Sequence, residues 1–292
     1  MKLLITTQAL DQHDSDLGFF VRWVEEFAKH CAQVTVVCLR EGEHALSHNV
    51  RIHVVPRGKL ARTARLLRIM MSEEYNAVFV HMNPEYLVLV GWLWRLRGKQ
   101  SALWYTHKSV DLKLRIAEKF ADVIFTASKE SFRLRSYKVR VMGHGIDTDF
   151  FCPDPQAVRK ERLLSVGRLM PSKRHDLAIQ AAVEQGRTLL IAGEGPERKN
   201  LEVLAQKLGA QVKLLGPLTQ EELREEYRRA AGLIHTSETG SLDKVVLEAV
   251  ACGCPVKTND PALKYLEQAT PAYVREHHSL KNLIPAILKN LA

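Results

Sequence analysis

LLSVGRLMPSK, residues 163–173, is an apolar strand that stops at Gly167 and delivers two cations, Arg168 and Lys173. TLLIAGEGP, residues 188–196, repeats the grammar: a buried run, then Gly193, Glu194, Gly195 and a proline suited to the first turn of a helix. LIHTSETGSLDKVVLEAVACGCPV, residues 233–256, repeats it again, with a break at Thr239 and Gly240 and a helix that carries Glu248. A glycine between strand and helix is weak evidence alone, because turns need glycine for backbone reasons. Three such turns in series predict a parallel sheet whose carboxyl-end loops face one ligand.

Outward from this stretch the alternation continues. Strand-length apolar runs at 2–6, 34–39, 50–55, 77–81, 102–106, 123–126 and 139–142 alternate with helix-like segments such as 18–30 and 110–120. After Asp147 the chain passes Pro153 and Pro155, and a second series follows at 163–166, 189–192, 212–215, 233–235 and 256–258. Between these lies the amphipathic segment 198–208, closed by Gly209. The fold class is therefore α/β: two Rossmann-like domains in tandem, 1–150 and a compact 151–292, facing across a cleft that is the expected site.

Composition narrows the function. At 292 residues, 46% hydrophobic and 26% charged, the chain is an ordinary globular one with room for two domains. Its five cysteines lack metal-ligand spacing and read as reduced thiols of a cytoplasmic protein. No secretory leader is legible, and the apolar run 87–96 is half a membrane span and contains Arg95. A net charge of +9 calls for an acidic partner. Nucleic acid is not expected, since no basic–aromatic interleaving or recognition motif accompanies the charge. RGKLARTARLLRIMM, residues 57–71, reads either as a basic amphipathic helix on anionic lipid or as a core helix with solvated cations.

The three stretches together resemble the carboxyl-terminal domain of the GT4 family of GT-B glycosyltransferases, strongly over 163–259. MGHGIDTDFFCPDP, residues 142–155, resembles that family's interdomain connection. The resemblance implies a glycosyltransferase that moves a sugar from a UDP- or GDP-linked donor to an acceptor hydroxyl with retained configuration. It implies a glycan or lipid-linked acceptor, no metal or other cofactor, and a cytoplasmic location with peripheral contact to an anionic membrane. The alternative is a weak or inactive relative that binds nucleotide sugars.

Carried over residue by residue, the resemblance makes Arg168 and Lys173 the cations on the departing diphosphate. They act with His107, at the end of an amino-domain strand, as the catalytic group. Fixed cations there stabilise charge that grows as the glycosidic bond breaks. Gly18, Gly193, Glu194, Gly195, Gly240, Ser241, Leu242 and Glu248 become donor-binding, with Glu248 on the ribose hydroxyls. His81, Asn83 and Glu85 are candidates for the acceptor pocket. The family has a glutamate eight positions before Glu248, and here Gly240 stands there. Glu238 and Asp243 are the nearby carboxylates that stand as candidates for reaching the donor sugar, though neither occupies the matching position. The family also has more helix after residue 259, ending in one that returns to the first domain, whereas only two helix-sized segments, 263–268 and 280–291, are legible here. Asp147 and Asp149 form a D-x-D at the connection and read as structural rather than as a metal site.

Overall fold

A computed structural model describes residues 1–238 and 240–291. Thr239, where the third stretch is expected to break, lies outside the described residues. The chain forms two compact units, Met1–Gly145 with the segment from Leu280 onward, and Ile146–Ser279.

The first unit holds β1 (Lys2–Thr6), β2 (Ala9–Leu10), α1 (Phe19–His30), β3 (Gln33–Cys38), β4 (Arg40–Glu41), β5 (Val50–Val54) and α2 (Lys59–Ser72). It continues through β6 (Ala77–His81), α3 (Glu85–Leu96), β7 (Gln100–Trp104), α4 (Leu112–Phe120), β8 (Val123–Thr126) and β9 (Val139–Val141). Seven of the strands form one parallel sheet in the order β5-β3-β1-β6-β7-β8-β9, and β2 pairs with β4 beside it. Every residue of β6 is buried, as a strand covered by helices on both faces must be. One face packs Phe20, Trp23, Val24 and Phe27 of α1, and the other packs Leu66, Ile69 and Met70 of α2 with Leu87, Val90 and Trp94 of α3.

The second unit holds β10 (Arg162–Val166), α5 (His175–Glu184), β11 (Thr188–Ala192), α6 (Arg198–Lys207), β12 (Val212–Gly216), α7 (Gln220–Arg229), β13 (Gly232–His235), α8 (Lys244–Ala251), β14 (Val256–Thr258) and α9 (Pro271–His278). Its parallel sheet runs β12-β11-β10-β13-β14. Strand order reverses at β10, whose neighbours are β11 and β13, so the crevice for a ligand opens at the carboxyl ends of β10 and β13.

The structure departs from the expected partition at its far end. Helix α10 (Leu280–Lys289) belongs to the first unit, not to a domain running to 292. Its stripe Leu280, Leu283, Ile284, Ile287 and Leu288 completes the core that contains Trp23 and Phe27. Trp23 Nε1 donates to Gly145 O at 3.0 Å, and a side chain on Gly145 would meet both Trp23 and Leu283 at 2.7 Å. The expected shortage of helix after residue 259 is likewise corrected: α9 begins on Pro271, capped by Thr270 Oγ1 accepting from Tyr273 N, a start hidden in the sequence by weak apolar periodicity. Arg62 is no solvated cation of an amphipathic helix. It is buried, with its guanidinium 3.1 Å from Glu85 Oε2.

Candidate functional site

The loops that leave β10 and β13 are stitched together. Glu238 N donates to Ser172 O at 3.0 Å, and Thr236 Oγ1 donates to Lys173 O at 3.0 Å. The loop that leaves β11 lies against the first of these: Leu169 N donates to Glu194 O at 2.9 Å and Glu197 N to Leu169 O at 3.0 Å. Such proximity demands glycine. Gly193 (φ 142°) and Gly195 (φ 158°) both adopt positive φ, and a Cβ on either would fall on the Gly167 or the Leu169 carbonyl. Glu194, exposed, accepts from Arg198 at 2.7 Å.

At the mouth of the crevice the second unit assembles a cation, a carboxylate and an imidazole. Lys173 Nζ lies 2.6 Å from Asp243 Oδ2, and His235 Nε2 lies 2.9 Å from the same oxygen. His235 Nδ1 is 3.0 Å from Thr258 Oγ1, which accepts from Asp260 N at 3.1 Å. Burial works to raise the Asp243 pKa, but the His235 hydrogen bond and the Lys173 charge outweigh it and hold the carboxyl well below the usual carboxylate range. Arg168 is exposed and makes no side-chain hydrogen bond or ion pair with the described residues. Glu238 is paired instead with Arg174, whose backbone is left-handed (φ 49°).

Helix α8 follows directly. Gly240 is left-handed (φ 56°), Ser241 is half-buried, and Leu242 is packed in the core, so Leu242 has only its backbone to offer a ligand. Glu248 is 1% exposed. Its Oε1 is 3.0 Å from Lys244 Nζ, and its Oε2 accepts from Tyr227 Oη at 3.3 Å. Burial and the Glu248 charge raise the Tyr227 pKa, which keeps the phenol protonated as a donor.

Sequence reasoning missed His235 and His175. His175 opens α5, buried, with Nδ1 2.9 Å from Ser165 Oγ, and burial pushes its pKa down to about 4. A histidine closing the apolar run LIH was the available signal for His235, but its partners depend on strand order, which a sequence does not print.

In the first unit Gly18 precedes α1, and a Cβ there would meet the Asp14 and Gln12 carbonyls at 2.6 and 2.7 Å. The loop is held by Asp14 Oδ1, which accepts from Asp16 N and Leu17 N at 2.9 and 2.8 Å. His107 is exposed beyond β7, with Nδ1 accepting from Ser109 N at 3.1 Å. His81 ends β6 at this sheet's own reversal point, stacked on Phe20 with ring centroids 3.8 Å apart and Nδ1 3.2 Å from Thr7 Oγ1. The next residue, Met82, is left-handed (φ 58°), a strained conformation of the kind that collects at functional sites. Asp147 of the D-x-D accepts from Asp149 N and Phe150 N, both at 3.2 Å, and so closes a turn.

Residues 152–289 match the family described as glycosyl transferases group 1. A D-inositol 3-phosphate glycosyltransferase from Frankia alni is 34% identical over 41% of this chain and 35% of its own length. The chain spans about a third of the length of the relatives it matches in this way. Among solved structures, sucrose-phosphate synthase from Thermosynechococcus elongatus superposes with a TM-score of 0.69 at 18% identity, covering 99% of this chain and 90% of that one. A glycosyltransferase involved in avilamycin A biosynthesis gives 0.71 at 15% identity, covering 99% and 96%. The fold is the two-unit GT-B fold.

Proposed function

We propose that this chain, whose residues 152–289 belong to the glycosyl transferases group 1 family, is a glycosyltransferase that transfers a sugar from a nucleoside-diphosphate donor to an acceptor hydroxyl with retained configuration. The observation that carries the reading is the meeting of Lys173 with the start of α8 at the carboxyl ends of β10 and β13. In this reading Lys173 and Arg168 neutralise the departing diphosphate. Backbone N–H groups at the start of α8 face its oxygens, aided by the helix dipole. Glu248 receives the ribose hydroxyls in exchange for Tyr227 or Lys244. Gly193 and Gly195 leave the backbone bare beside the base. UDP- and GDP-linked sugars are the donors to try first, and the acceptor class is a glycan or a lipid-linked sugar.

A second reading, a nucleotide-sugar binder with little turnover, is favoured by Gly240 in place of a carboxylate and by the engagement of Asp243 with Lys173. One experiment separates the two. Incubation with a panel of nucleotide sugars, with and without candidate acceptors, releases nucleoside diphosphate under the first reading, whereas binding without release supports the second. An anomeric proton spectrum of the product tests retention.

Peripheral contact with an anionic membrane rests on α2, where Leu60 and Met71 are exposed beside Arg65 and Arg68. No helix among the described residues is long and apolar enough to cross a membrane. Flotation with vesicles containing an anionic lipid, lost on Arg65→Glu with Arg68→Glu, tests that contact.

A further inference from the structure

Lys173 already has an anion. Its ammonium and the Asp243 carboxylate are largely withdrawn from water, with side chains 20% and 15% exposed, and lie 2.6 Å apart. Asp243 is the N-cap residue of α8, yet its side chain makes no capping hydrogen bond to that helix. It turns away from the helix to Lys173 and His235.

The imidazole is itself fixed. The ionised Asp243 carboxylate can only accept, so the ring nitrogen facing it must carry a hydrogen, while Nδ1 lies against the Thr258 hydroxyl, which accepts from Asp260 N. Nε2 then carries the ring hydrogen and donates to Asp243 Oδ2. Two donors, one from the loop after β10 and one at the end of β13, therefore converge on a single carboxylate oxygen. A phosphate that arrives here meets a cation whose charge is largely cancelled, and a fixed negative charge at the helix start that would otherwise attract it. The carboxylate cannot swing aside without leaving a buried imidazole N–H unsatisfied.

We propose that Asp243 is a built-in competitor of the donor diphosphate for Lys173, one that keeps the site's affinity for nucleoside diphosphates low and eases departure of the nucleoside diphosphate product. The inference rests on the donor-site reading above. It assigns Asp243 an affinity-setting role rather than a place on the donor sugar.

The test uses the full chain and calorimetric titration with UDP, GDP, inorganic pyrophosphate and uridine, for wild type and Asp243→Asn. The variant should bind the preferred nucleoside diphosphate and pyrophosphate about tenfold more tightly, with uridine unchanged. Adding Lys173→Met to Asp243→Asn should abolish the gain. Equal or weaker diphosphate binding by Asp243→Asn overturns the inference while leaving the donor site standing, and so does a gain that survives Lys173→Met. Failure of both wild type and variant to bind any diphosphate overturns the donor-site reading and the inference together. If melting shows that Asp243→Asn does not fold, Asp243→Ser gives the same comparison.

Discussion

The carbonyl oxygen of Gly167 stands where a side chain on Gly193 would have to begin. Two strand-end loops thus touch through bare backbone, and positive φ at Gly193 adds to the demand for glycine. Gly186 is the natural control, since it is also left-handed (φ 59°) but has open space around its Cβ direction. Gly186→Ala should cost about 1 kcal/mol for the left-handed backbone alone. Gly193→Ala should cost about 3 kcal/mol or more, because backbone must move as well. Urea unfolding followed by far-ultraviolet circular dichroism compares the two, and equal costs would show that the loops are not in tight contact.

Lys173→Ala is expected to lower kcat/KM for the nucleotide sugar about 100-fold or more by removing a cation from the leaving group. It also strips Asp243 of its ammonium partner, at a cost of about 1–3 kcal/mol in stability. Lys173→Ala with Asp243→Ala should recover part of that stability but none of the lost turnover. Unchanged turnover in the single variant rules out Lys173 as a diphosphate ligand.

Glu248→Ala leaves the Lys244 ammonium and the Tyr227 hydroxyl facing an empty, buried place. The expected cost is about 3 kcal/mol, with Glu248→Gln milder because an amide oxygen still accepts from Tyr227. The Gln variant should bind nucleoside diphosphate about tenfold more weakly and bind pyrophosphate as before, since the ribose is what it no longer holds well. A parallel loss for both ligands would assign Glu248 to the phosphates instead.

Acid should loosen the second unit earlier than carboxylate titration alone predicts. Burial pushes His175 and His278 down to about 4, against an ordinary value of 6.5, and the charge of neighbouring His277 adds to the effect on His278. Between those values the unfolded chain takes up protons that the folded chain refuses, so stability falls as pH drops through that window. From these two groups the slope reaches about 2 kcal/mol per pH unit in mid-window and fades above about pH 7.5. All four tryptophans, at 23, 92, 94 and 104, lie in the first unit, so their fluorescence is blind to this change. Amide hydrogen exchange in β10, β11 and β13 reads it, and His175→Gln should roughly halve the slope.

Much of the scaffold was legible because parallel strands buried on both faces are nearly continuous apolar runs. The expected bounds of β1, β6, β8 and β14 match the observed ones, and Gly209 (φ 61°) follows α6 as expected. Less was legible where contact partners are distant in sequence. Lys173 and Asp243 are 70 residues apart, and only the adjacency of β10 and β13 brings them within bonding distance. Arg62 shows the same limit, for its spacing beside Leu60 and Leu66 describes an amphipathic helix, while Glu85 on the next helix makes it an interior ion pair. The return of α10 had its own apolar stripe, but the stripe carries no mark of which core it joins.

That return places the second unit, in chain order, as an insert within the first. Residues 146–279 are contiguous and can close their own core, whereas Trp23 depends on Leu283, far along the chain, to complete its surroundings. The first unit begins earlier and is sealed later. A chain cut after Ser279 and released would thus carry one complete unit and one with an open apolar seam along α1, for which a chaperone's grip on the first unit matters more than on the second.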